Sequence, residues 1–186
     1  MASEATASPR SRNRLLGYLL IGAAVSVSLG AYGRVHDPTG EALISGFFTG
    51  SINLKVWFAT AAFVLAIFQE LSAAKFYGKL GRGYGPKWLG RAHRVSGTLA
   101  FLFVVPVAYH CLWSLGFQSG ETRVLVHGLF GCLFFGALTA KILVVRASGM
   151  PKLALPALGA VVFTALTVLW LTSSVWFFTN VDFPGL

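Results

Sequence analysis

Five stretches of the chain are predominantly apolar and long: Leu15–Ala31, Val56–Ala74, Val95–Phe117, Val124–Val145 and Leu153–Phe178. A helix rises about 1.5 Å per residue, so about 20 apolar residues cross the hydrocarbon of a bilayer. The pattern predicts an all-α integral membrane bundle of five transmembrane helices, with helices two to five forming the core and helix one an added anchor. The polar intervals are short, and residues 15–186 read as a single transmembrane domain. Met1–Arg14, rich in Ser, Ala and Arg, reads as a disordered basic tail. Arg10, Arg12 and Arg14 ahead of an apolar run are also features of a secretory signal. The length of the run marks it instead as a retained anchor.

Composition agrees with the pattern: 55% of the 186 residues are hydrophobic, 11% are charged, and mean hydropathy is +0.70. The positive charges then set an orientation. Arg10, Arg12, Arg14, Lys75, Lys79, Arg82, Lys87, Arg91, Arg94, Lys141, Arg146 and Lys152 fall on one side of a five-helix chain, and Arg34, Lys55 and Arg123 on the other. The positive-inside bias makes the N-terminus cytoplasmic and the C-terminus external, in a multi-pass protein of the cytoplasmic membrane. Basic loops against anionic membrane lipid account for the net charge of +9 without nucleic acid.

The four histidines can be placed in depth on this frame. His93 opens helix three at the cytoplasmic side, and His110, seventeen residues on, lies roughly 25 Å along the axis near the outer face. The chain turns through Gln118–Glu121 and re-enters, so His127 in helix four returns to the depth of His110. His36, in YGRVHDPTG after helix one, is a third external imidazole. An imidazole inside a span is costly enough that a functional partner is the default reading. Zinc-protease, P-loop and dinucleotide-binding spacings are absent from the sequence, as is a serine or cysteine nucleophile framed by a base.

Two imidazoles facing one another in an apolar bundle suit a haem iron. Gly128, Gly131 and Gly136 on helix four, with Gly97 and Pro106 on helix three, leave room for a flat macrocycle. The expectation is one haem b near the external face, with His110 and His127 as axial ligands to the metal. Arg34, His36 and Arg123 are external candidates to surround it. His93 is either a cytoplasmic ligand awaiting a partner or an interfacial residue.

HRVSGTLAF, from His93, is similar to the His-Arg-x-x-Gly helix starts of cytochrome b561 and ferric reductase type transmembrane cytochromes, in which bundle histidines ligate b-type haem. The wider pattern YGRVHDPTG, KVWFAT, HRVSGTLAFLFVVPVAYHCLW, RVLVHGLFGC and LTSSVWFF resembles an uncharacterised actinobacterial family of small multi-pass membrane proteins, a domain of unknown function. The cytochrome resemblance implies electron transfer. Helices two and five lack histidine, which fits one haem better than two stacked ones.

Two other readings stay open at the level of sequence. His36, His110 and His127 with Asp37 could form an external copper or zinc centre. Alternatively, the chain is a cofactor-free structural or assembly subunit of a respiratory complex. The electron-transfer reading brings in a redox partner protein or respiratory complex, and a quinone as a further candidate. Glu70 and Lys141, each near a cytoplasmic helix end, either mark a quinone or proton site or are interfacial, with Lys141 snorkelling. Cys111 and Cys132 read as small apolar thiols without a disulfide, and Trp113, Trp170 and Trp176 as an outer aromatic belt.

Overall fold

The structure is a computed structural model and describes residues 8–41, 45–81 and 85–181. The helices are α1 (Pro9–Val35), α2 (Ser51–Phe76), α3 (Lys87–His110), α4 (Thr122–Arg146), α5 (Ala154–Trp170) and α6 (Trp176–Asn180). Short π-helical segments, Cys111–Leu115 and Leu171–Val175, prolong α3 and join α5 to α6. The result is five helical spans long and apolar enough to cross a membrane.

The helices outrun the apolar stretches that announced them. α1 begins at Pro9 rather than Leu15, because Ser8 caps it: its hydroxyl accepts the Ser11 N–H at 3.3 Å, and Pro9 fits the first helical position. The basic segment expected to be disordered is therefore helical from Pro9 onward, while residues 1–7 of that tail lie outside the described residues. α2 starts at Ser51 and α3 at Lys87, each adding polar turns before the apolar run.

One end of the bundle, here the upper end, gathers the ends of α1 and α3, the starts of α2 and α4, and α6. α2 packs along α3 and against α5, α5 along α4, and α4 along α1. The core is small-sided: Ala62 and Ala66 of α2, Val104 of α3, Phe134 of α4, and Ala165 and Leu166 of α5 are all buried together. Small side chains let helices approach closely where apolar burial between helices gains little over lipid. Phe63 and Trp170 stack at 4.3 Å beside this core, and Trp170 Nε1 donates to Thr60 Oγ1 at 3.1 Å. Trp170 thus ties α5 to α2.

α1 lies outside this core as an added helix. In its most apolar window only 6% of residues are buried, against 28% in the windows of α4 and of the span Ala154–Asn180. It meets α4 through backbone. A Cβ on Gly22 would come within 2.6 Å of the Gly136 carbonyl, and Ser26 Oγ donates to Cys132 O at 2.9 Å.

The π segment after α3 and the residues just beyond it are held by the end of α1 and the chain that follows it. Widening the helix disturbs the regular carbonyl ladder. Trp113 O accepts from Thr39 N at 3.3 Å, Ser114 O from Gly40 N at 3.0 Å, and Gly33 O from Phe117 N at 2.6 Å. Gly116 ends the segment at φ 65°, a left-handed turn suited to glycine.

Candidate functional site

Although α3 and α4 are consecutive and antiparallel, they do not pack closely on one another, and a cavity of about 560 Å³ opens between their upper halves. α3 offers Val107 and Ala108 to it and its π extension Cys111 and Leu115, while α4 offers Val124, His127, Gly128 and Gly131. Those α4 positions recur at three- and four-residue spacing, which puts them on one helical face. α2 contributes Lys55, Val56 and Ala59, and the far end of the fifth span adds Thr172, Ser173 and Trp176. At Gly131 an added Cβ would find only Leu169 Cδ2, at 3.9 Å, so the glycine keeps this wall low. The volume lies within the roughly 300–1,000 Å³ usual for ligand and cofactor sites.

His127 is the one histidine on this wall, and its tautomer follows from its partner. Its Nδ1 lies 3.0 Å from Thr172 Oγ1. The Thr172 hydroxyl gives its single proton to the backbone, with Val168 O at 2.7 Å and Leu169 O at 3.2 Å. With that proton directed to the backbone, the hydroxyl oxygen is placed to accept from His127 Nδ1–H, the tautomer in which Nε2 keeps its lone pair. Thr172 sits in the second π segment, where its own carbonyl is also free to accept: Arg123 Nη1 donates to it at 2.9 Å. Arg123 is further fixed by both carboxylate oxygens of Glu121 at 3.2 Å and lies 3.9 Å over the Trp176 ring. One residue thereby orients both the imidazole and the guanidinium.

His110 does not line this cavity. It precedes Cys111, which does, and one residue turns an α-helix by about 100°. It falls instead on the side of α3 that carries Phe103, whose ring meets Phe58 of α2 edge-on at 5.1 Å. There it is 8% exposed, and its Nδ1 has no partner among the described residues. The expected pair of facing imidazoles on adjacent helices is therefore not assembled in this conformation, since α3 and α4 are splayed and the two rings belong to different faces.

The other nominated residues separate as well. His36 is stacked between Tyr32 at 5.0 Å and Trp113 at 4.7 Å, and its Nε2 donates to Trp113 O at 3.1 Å. Arg34 is exposed in the last turn of α1. Neither lines the cavity. His93, at the lower end, has its Nδ1 2.6 Å from Ser72 Oγ, which donates to Phe68 O at 2.7 Å. Among the described residues no three His, Cys, Asp or Glu side chains converge to hold a metal ion, so the copper or zinc centre of His36, His110, His127 and Asp37 is not assembled.

Below the cavity, Val104, Phe134 and Leu166 form an apolar partition, and they also line a smaller pocket of about 70 Å³. Glu70 and Lys141 line that pocket without a direct ion pair. Gln69 closes one side, donating to His93 O at 2.5 Å and to Ser96 Oγ at 2.7 Å.

A family model matches residues 15–185, nearly the whole chain. The chain belongs to the DUF6529 family, a family of unknown function. This accords with the resemblance to an uncharacterised family of membrane proteins. No curated protein and no solved structure matches the chain.

Sequence reasoning about this DUF6529 chain finds His127 and Arg123 but misses Thr172, which positions both. The signal is the run Thr172-Ser173-Ser174 inside an otherwise apolar span. It also leaves Lys55, Cys111 and Cys132 out of the site, although all three line the cavity and both thiols are free.

Proposed function

We propose that the chain is a membrane-bound b-type haem protein that transfers electrons, holding its haem in the upper cavity through His127. The observation that carries this reading is the Thr172 contact, which engages Nδ1 of a histidine on the wall of a cofactor-sized apolar cavity and leaves Nε2 as the nitrogen for a ligand. Metal-bound histidines commonly have their second nitrogen fixed in this way. Haem, bound there, supplies one-electron chemistry.

The rest of the site fits such an occupant. Gly128 and Gly131 face the cavity beside His127, and Arg123 and Lys55 line it as cations suited to propionates. His110 is the candidate second axial ligand. It is buried with an unsatisfied Nδ1, and an orphaned buried nitrogen calls for a partner. His36 and Arg34 act from outside the cavity at most, through the strap that holds the end of α3.

The charge bias of twelve basic residues to three makes the upper end external in the cytoplasmic membrane. The cavity then faces an external redox partner protein or a respiratory complex, with membrane quinone a candidate donor. Purification in mild detergent tests the reading. A red protein with a reducible b-type spectrum, lost in His127→Ala while the protein stays inserted and monodisperse, supports it; a colourless, haem-free wild type sinks it.

A further inference from the structure

The cavity wall is apolar except for a few groups, and among those groups the charges are one-sided. Lys55 and Arg123 line it, and none of the lining residues is Asp or Glu. The two cations differ in what they have available. Arg123 is committed to the Glu121 carboxylate, to Thr172 O and to the face of Trp176. Lys55 has no hydrogen-bond or ion-pair partner among the described residues.

Its position deepens the imbalance. Lys55 lies near the start of α2, where the helix presents the positive end of its dipole, and the first turn of α2 contains no acidic residue to offset it. α4 also begins at this end of the cavity, but there Glu121 sits at the N-cap and pairs with Arg123, so that helix start is offset. The acid-free start of α2 and its unpaired ammonium thus border one apolar chamber. An unpaired cation within a span is expensive, and the usual relief is to snorkel into the headgroups. Lys55 instead is half-buried on the cavity wall.

We propose that Lys55 receives the anionic end of the cavity's occupant, which is an amphiphile with a broad apolar body and a carboxylate or phosphate terminus at the upper end. This rests on the reading of the cavity as a ligand site, and for haem it assigns the propionates to Lys55 rather than to Arg34. An anionic lipid headgroup offers the same chemistry, so the test separates the two sources.

Wild type, Lys55→Arg, Lys55→Gln and Lys55→Met are purified in parallel, with haem measured by its absorption after extraction and bound lipid by native mass spectrometry. Lys55→Met keeps the apolar stem should Lys55→Gln fold poorly. The expected result is full occupancy in wild type and Lys55→Arg, and retention weakened about ten- to a hundredfold in the two neutral variants, the scale of one charge-assisted hydrogen bond. A haem-bearing wild type whose occupancy and reduction potential are unchanged in both neutral variants overturns the role of Lys55 and leaves the haem reading standing. A colourless wild type holding an anionic lipid that the neutral variants release supports Lys55 and overturns haem. A wild type that holds neither haem nor anionic lipid overturns both.

Discussion

His127 Nδ1 and Thr172 Oγ1 lie 3.0 Å apart, joining the second turn of α4 to the π segment that follows α5. The contact fixes the ring orientation and selects the tautomer that leaves Nε2 for a ligand. Removing the Thr172 hydroxyl while keeping its shape, as in Thr172→Val, frees the ring to rotate and to move its proton. Loss of such an orienting group typically costs about 10–100-fold in metal affinity. Thr172→Val should therefore lower haem affinity by that order in a titration of the haem-depleted protein. Thr172→Ser should recover most of it, a rescue that mere loss of packing does not explain.

His110 and His127 should not behave alike. His127 is pre-oriented on the cavity wall, whereas His110 has to leave a buried position to reach it. His127→Ala should abolish haem binding. His110→Ala should retain haem and convert a low-spin spectrum to a high-spin one, because one strong-field axial ligand is lost and the other remains. His36→Ala and His93→Ala should leave the spectrum intact. Equal loss of haem in His110→Ala and His127→Ala shows instead that both rings build the site together. Loss of about half the haem in His93→Ala would reveal a second, lower haem.

The contrast between these two histidines also marks how far the sequence carries. Apolar runs long enough to cross a bilayer leave little choice of architecture, so the five spans and the peripheral place of α1 were legible. Their ends were not, because interfacial turns such as Ser51–Lys55 and Lys87–Arg94 are polar yet helical. Depth along a helix follows from counting residues, and on that basis His110 and His127 belong to one end. Azimuth depends on packing: the cavity face of α3 and its π extension is set by Val104, Val107, Ala108, Cys111 and Leu115, and His110 misses it by one position. Thr172 escaped notice because a hydroxyl in an apolar helix ordinarily bonds back to its own turn. Thr172 does so, and holds His127 with its remaining lone pair.

The charge split predicts an orientation that is open to direct measurement. A reporter fused after Leu186 should be external, and one inserted in the interval from Gly78 to Gly85 should be cytoplasmic. The two sites lie at opposite ends of an odd number of spans from one another. Identical reports from both fusions contradict the five-span crossing, whatever the orientation.

The seam between α1 and α4 supplies a test of packing that needs no cofactor. Gly22 and Gly136 bring the two backbones together, and a Cβ on Gly136 would fall on the Ser26 hydroxyl and the Gly22 carbonyl. Backbone cannot yield as a flexible side chain does, so Gly136→Val should force α1 away at a cost of about 1–3 kcal/mol. A native thiol reports the displacement. A Cβ on Gly30 stands 3.5 Å from Cys132 Sγ, so Gly30→Cys in a Cys111→Ala background should form an α1–α4 disulfide under mild oxidation, readable by gel mobility. Adding Gly136→Val should suppress that bond severalfold while α2–α5 and the cavity between α3 and α4 persist, since α1 contributes only Leu29 to the cavity wall. Undiminished cross-linking in the double variant shows that the seam tolerates the added side chain and that α1 is held elsewhere, principally by the bonds its end makes to the π segment of α3.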